Sequence, residues 1–107
     1  LLAMADCATF TDAQRAIAAG AEIVATTLCG YTPETEGASL PALDLVRRLR
    51  APGAFVVCEG GISTPGEARA AFASGADAIV VGTAITNVDA LTRRFAAATP
   101  RAVPEKS

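Results

Sequence analysis

The stretch FVVCEGGISTPGEARAAFASGADAIVVGTAI, residues 55–85, decides the fold, because it reads as strand, glycine turn, helix, strand and glycine turn. Phe55–Cys58 and Ala78–Val81 are short, rich in β-branched residues and free of polar alternation, as expected of parallel strands buried on both faces. Each run leads into small residues, Gly60-Gly61 and Gly82-Thr83, where backbone N–H groups can come close to an anion. The helix after each turn points its positive end at the same place. One such turn is explained by tight βα geometry alone; two in succession read as a phosphate cradle made by Gly60, Gly61, Gly82 and Thr83.

Working outward, Leu1–Ala5 reads as a buried strand delivering Asp6 at its end. Thr11 and Gln14 form the pattern of a capping box for a helix that buries Ala13, Ala16 and Ile17 and stops at Gly20. Residues 21–27 (AEIVATT) give the next strand, and residues 28–39 form the longest irregular loop, of the kind that often carries function. Leu40–Arg50 reads as a helix with Leu43, Leu45, Val46 and Leu49 turned inward and Arg47, Arg48 and Arg50 solvated near its C-terminus. Thr64 and Glu67 make a second capping box, with Pro65 at the first helical position and Ala68, Ala71 and Phe72 facing the core. Asn87 can cap a last helix whose Val88, Leu91, Phe95 and Ala98 share a face, and Pro100 stops it. The polar residues 100–107 are expected to be a disordered tail.

The chain repeats itself. Residues 12–21 (DAQRAIAAGA) align with residues 67–76 (EARAAFASGA), and in each case an acid and an apolar strand follow. Four βα units with acids and glycines at the strand ends fit half of a (β/α)₈ barrel better than a doubly wound sheet, although a four-stranded open sheet also fits the pattern. A whole barrel needs roughly 200 to 250 residues. The α/β chain is therefore expected to be the C-terminal half of a TIM barrel, residues 1–99 being units five to eight, with a further half upstream. The cradle then falls after strands seven and eight, where such barrels commonly hold phosphate.

Composition narrows the chemistry. The 107 residues carry a net charge of −2 and no histidine, so there is neither a basic footprint for nucleic acid nor an imidazole base or ligand. Cys7, Cys29 and Cys58 form no C-x-x-C pair and read as reduced residues of the core and strand ends, in a cytoplasmic protein. No apolar run has the length of a membrane span. Asp6 and Glu59 stand at strand ends facing the barrel mouth. Glu59, between Cys58 and Gly60, is the candidate acid or base, since a carboxylate that loses water there is biased toward carrying a proton; a structural acid that accepts loop N–H groups is the plain alternative. Asp6 fits sugar hydroxyls or a neighbouring cation equally with the capping of its own loop. Tyr31 could close over a ligand or pack on its turn, and Thr26, Thr27 and Thr83 are hydroxyls at strand ends.

Residues 5–9 (ADCAT), 25–32 (ATTLCGYT), 58–65 (CEGGISTP) and 81–86 (VGTAIT) together resemble the N-acetylmannosamine-6-phosphate 2-epimerase family over almost the whole chain. The resemblance implies a (β/α)₈ isomerase of amino-sugar and sialic acid catabolism that interconverts N-acetylmannosamine 6-phosphate and N-acetylglucosamine 6-phosphate, without metal, nucleotide or other cofactor. The implied chemistry is proton exchange at C2 of the open-chain sugar, through an enolate-like intermediate. Position by position, Glu59 matches the active-site glutamate, as acid or base or as a stabiliser of the intermediate, and Asp6 the substrate-binding aspartate; Thr26, Gly30 and Tyr31, within the resembling stretch 25–32, are the further substrate-binding candidates. Gly61, Gly82 and Thr83 match the phosphate end. The family's lysine base has no counterpart here, since Lys106 stands elsewhere, so these residues alone are expected to be inactive. Asn87 also departs from a frequent family arginine. The expected partner is an N-acylated hexosamine 6-phosphate, with no nucleic acid or membrane partner, and the full-length protein is compatible with a homodimer. Another sugar-phosphate barrel enzyme, an aldolase or synthase, and a non-catalytic phosphate-binding half-barrel are the competing readings.

Overall fold

Strand β3, Phe55–Glu59, is an inner strand of a four-stranded sheet in the computed structural model, which describes residues 1–100. Strand β2 (Ile23–Ala25) pairs with it on one side and β4 (Ala78–Val80) on the other, and β1 (Met4–Asp6) adds to β2. Every pairing is parallel, and the spatial order β1-β2-β3-β4 is the chain order. A doubly wound sheet reverses its order at a switch point, whereas barrel strands follow one another. The observed order is that of a barrel, and the chain forms four consecutive βα units of one.

The buried face of the sheet is covered by α1 (Phe10–Ala18), α2 (Leu43–Leu49) and α3 (Pro65–Ser74). Val46 and Leu49 of α2 are fully enclosed with Ala13 of α1, Ala71 of α3, and Val24, Val56 and Cys58 of the strands. Removing each large side chain of this kind from water contributes about 1.5–3 kcal/mol. Arg48, on the outer side of α2, lays its guanidinium 4.6 Å from the centre of the Phe10 ring, so one of the arginines read as solvated also ties α2 to α1.

The internal repeat is visible as matched caps. Thr9 and Thr64 accept hydrogen bonds from the N–H groups of Asp12 and Glu67, three residues on. At the other end, Gly20 and Gly75 take φ of 106° and 111°, a conformation that glycine adopts without steric cost. Helix α1 therefore starts from Thr9, with Asp12 completing the box by accepting from the Thr9 N–H, and not from the Thr11–Gln14 pair that the sequence pattern favoured. In α3 the Glu67 carboxylate reaches one residue further out, to the N–H and hydroxyl of Ser63.

Other boundaries differ for identifiable reasons. Helix α2 begins at Leu43, because Leu40–Ala42 remain in the loop and no side chain caps the start. Asn87 does cap α5 (Val88–Ala97), accepting from the Ala90 N–H, but a short helix, α4 (Thr83–Thr86), precedes it. Strands β1 and β4 are the sheet's edges and are not buried on both faces: Met4 and Val80 are exposed, as are Leu1 and Leu2 before β1. Phe72 of α3 faces outward, as do Val88 and Phe95 of α5. The expected tail lies mainly outside the described residues. None of the described helices is long and apolar enough to cross a membrane.

Among the described residues both outer edges of the parallel sheet are unpaired, and with exposed Leu2, Met4, Val80, Ile85 and Phe95 beside them they are a template for association. Prepared as these 107 residues alone, the chain is expected to elute as oligomers or aggregate in size-exclusion chromatography. A monomer with a cooperative unfolding transition would contradict that expectation.

Candidate active site

The site grows from the register of the inner strands. Ala25 pairs with Val57, so two residues further along Thr27 and Glu59 stand at the same level, Thr27 just beyond β2 and Glu59 as the last residue of β3. Thr26 is fully buried, and its Oγ1 donates to the Glu59 carbonyl and accepts from the Glu59 N–H, both at 3.0 Å. One hydroxyl thereby closes the backbone of β3 against the end of β2. The neighbouring Thr27 Oγ1 lies 2.8 Å from Asp6 Oδ1 and 2.8 Å from Glu59 Oε2. Ends of β1, β2 and β3 thus present an acid, a hydroxyl and an acid in a row.

Beside this row lies a cleft of about 490 Å³. Tyr31, Glu59, Gly60, Gly61, Gly82 and Thr83 all line it, so the candidate acid or base and the four cradle residues share one cavity. Tyr31 is well exposed, and a Cβ placed on Gly60 would touch its ring at 3.8 Å. Gly60 and Gly61 have φ of 106° and 77°, so both lie in the left-handed region that the turn requires. A Cβ on Gly61 would also collide with Cβ of Leu40, which braces the turn from the long loop. Glu59 is half-buried, so its loss of water is partial.

Two of the residues singled out for the substrate stand behind the cleft. The Thr26 hydroxyl is committed to the backbone, and the accessible hydroxyl at this strand end belongs to Thr27. Gly30 donates its N–H to Thr35 Oγ1 at 2.9 Å and shapes the loop that carries Tyr31. Asp6 joins the site through Thr27.

Arg94 also lines the cleft, a role that its position in the sequence does not announce. It sits on α5, three residues after Leu91 on the same face, and its Nη1 donates to the Ser63 carbonyl at 3.4 Å. The helical spacing of Ala90, Leu91 and Arg94 is present in the sequence; that α5 folds back over the Gly60-Gly61 turn is not. Hydrogen bonds from the Ser63 N–H and hydroxyl hold the Glu67 carboxyl below the usual carboxylate range, with a smaller contribution from Arg94. A second cleft of about 520 Å³, between α3 and the α4–α5 segment, is almost wholly apolar.

Cys7, Cys29 and Cys58 are free and buried, and burial pushes each thiol above its ordinary range. At neutral pH they remain protonated and poorly nucleophilic. Among the described residues no group of three or more Cys, Asp and Glu is placed to hold a metal ion.

Parallel βα units in barrel order, with carboxylates and glycine turns gathered at the C-terminal ends of the strands, place the chain among the (β/α)-barrel proteins, the fold whose active sites lie at that face. Residues 1–101 match the family described as "Putative N-acetylmannosamine-6-phosphate epimerase", and the chain belongs to that family. A Vibrio vulnificus protein described as the corresponding 2-epimerase is 42% identical over 97 residues, covering 91% of this chain and 43% of its own length. The bifunctional enzyme NanE/NanK of Brucella melitensis is 45% identical over 94 residues, covering 88% of this chain and 18% of its own length. The solved N-acetylmannosamine-6-phosphate 2-epimerase from Clostridium perfringens superposes with a TM-score of 0.82 at 39% identity, covering 90% of this chain and 42% of that one. The chain thus spans less than half the length of these relatives.

Gly61→Ala must displace Leu40 and strain the turn, and is expected to cost about 1–3 kcal/mol in chemical denaturation of the full-length gene product. The three thiols should react with a thiol reagent at neutral pH only when the protein is unfolded, as a spectrophotometric titration in native buffer and in denaturant would show.

Proposed function

We propose that this chain supplies the Glu59 half of an active site that epimerises N-acetylmannosamine 6-phosphate and N-acetylglucosamine 6-phosphate by proton exchange at C2. The observation that carries the reading is the single cleft in which Glu59 faces the glycine turns Gly60-Gly61 and Gly82-Thr83. That arrangement suits a substrate with an exchangeable proton at one end and a phosphate at the other. Family membership supports the substrate class.

In this reading the phosphate rests against the N–H groups of the two turns, and Arg94 provides the cation there. Asn87 is spent on capping α5 and contributes no charge. Tyr31 covers the sugar from the loop. Asp6 and Glu59 face the reacting end, where the C1 aldehyde of the open-chain sugar makes the C2 proton removable. Glu59 takes or returns that proton, or stabilises the enolate formed when it leaves. The only lysine, Lys106, lies outside the described residues, and the lysine base that the family resemblance calls for is proposed to come from outside these 107 residues.

The test is deuterium incorporation at C2 when the full-length gene product turns over N-acetylmannosamine 6-phosphate in heavy water. Glu59→Gln should lower kcat by roughly 10²- to 10⁴-fold. Arg94→Ala should raise KM by roughly 10-fold with a smaller effect on kcat, as expected of a group that binds ground and transition states alike. Cleavage of a carbon–carbon bond in the sugar phosphate would replace the epimerase reading with an aldolase one. Binding without exchange or cleavage would leave a phosphate-binding barrel.

A further inference from the structure

We infer that Thr27 is a positioning residue that keeps Glu59 hydrogen-bonded in both of its protonation states by switching its own hydrogen between Glu59 and Asp6. The inference rests on the proposed exchange of a proton at Glu59. Its geometric basis is one hydroxyl with two carboxylate oxygens, Asp6 Oδ1 and Glu59 Oε2, each at 2.8 Å.

A threonine hydroxyl has one hydrogen to donate and can also accept. Two carboxylates can only accept, so when both are ionised Thr27 serves one of them at a time. With Glu59 ionised, Thr27 donates to Glu59 Oε2. Once Glu59 carries a proton on that oxygen, it donates to Thr27 Oγ1, and the Thr27 hydrogen turns toward Asp6 Oδ1. No bond to Thr27 is made or broken. Glu59 gains one proton while the electron pair of the broken C2–H bond remains on the substrate as an enolate, and the return step reverses this balance.

The backbone is arranged to make this reliable. Thr26 holds the Glu59 peptide by two bonds of 3.0 Å, which leaves the side chain as the part free to adjust. Asp6 is exposed and Thr27 and Glu59 are half-buried, so the row opens toward solvent and substrate. Among the described residues no buried side-chain polar atom lacks a partner. A valine at position 27 would keep the shape and remove both the donor and the acceptor; a serine would keep both.

The full-length gene product carrying Thr27→Val and Thr27→Ser tests the inference by kinetics and by crystallography. Thr27→Val should lower kcat for C2 exchange by roughly 10- to 100-fold with KM within about twofold of wild type, and Thr27→Ser should restore kcat to within a few-fold. In its crystal structure Thr27→Val should show the Glu59 carboxylate moved off its wild-type position, and Thr27→Ser should not. An unchanged kcat in Thr27→Val, equal losses in both variants, or a Glu59 carboxylate that stays in place without the hydroxyl would each overturn the inference. If wild type binds the sugar phosphate without exchanging its C2 proton, the epimerase reading fails, and with it the switching role. The crystal structures then judge the placement of Glu59 separately.

Discussion

A hydroxyl buried between two strands sets where Glu59 and its glycine turn leave the sheet. Thr26 receives the N–H of Glu59 and returns its own hydrogen to the Glu59 carbonyl, where the ladder between β2 and β3 would otherwise stop. Both backbone groups lie beyond Ala25 and Val57, the last residues paired between β2 and β3, and without a partner on that side they would need water. The clasp keeps β3 extended through Glu59, and the chain can then turn sharply through Gly60 and Gly61. Leu40 blocks any side chain at the second of these glycines, so the turn is held from the strand side and from the loop side together.

Much of the fold is legible in the residues themselves. Apolar runs without alternation locate the strands, the helix faces of α2 and the caps at Thr64 and Asn87 are readable locally, and Glu59 with its glycines stands out as a unit. The start of α1 is where local pattern misleads. Thr11–Gln14 satisfies the capping pattern, yet the internal repeat places Thr9 opposite Thr64 and Asp12 opposite Glu67, which are the residues that form the caps. The repeat holds the right answer and the local pattern the wrong one, because capping depends on where the preceding strand releases the chain.

What stays hidden is non-local. The choice between Thr26 and Thr27 depends on which face of β2 each one leaves, and one residue of offset exchanges a buried clasp for an accessible hydroxyl. Arg94 is far from Gly61 along the chain, and only the return of α5 across the turn makes them neighbours. Exposure of Phe72, Val80 and Phe95 is hidden for a related reason. Apolar patterning shows that a face is suited to burial, and it does not say that these residues themselves supply the cover.

The row of Asp6, Thr27 and Glu59 also works as a ruler. Each group hangs from a different strand, and neighbouring strands in a sheet are held about 4.8 Å apart by backbone hydrogen bonds that no side chain can alter. Spacing of the three groups is therefore quantised by the scaffold, while their identity is free to change at a single codon for each strand. A barrel of this kind can exchange an acid for an amide or a hydroxyl at one mark of the ruler without moving the others, so new chemistry can be explored in steps that leave the geometry of the site intact.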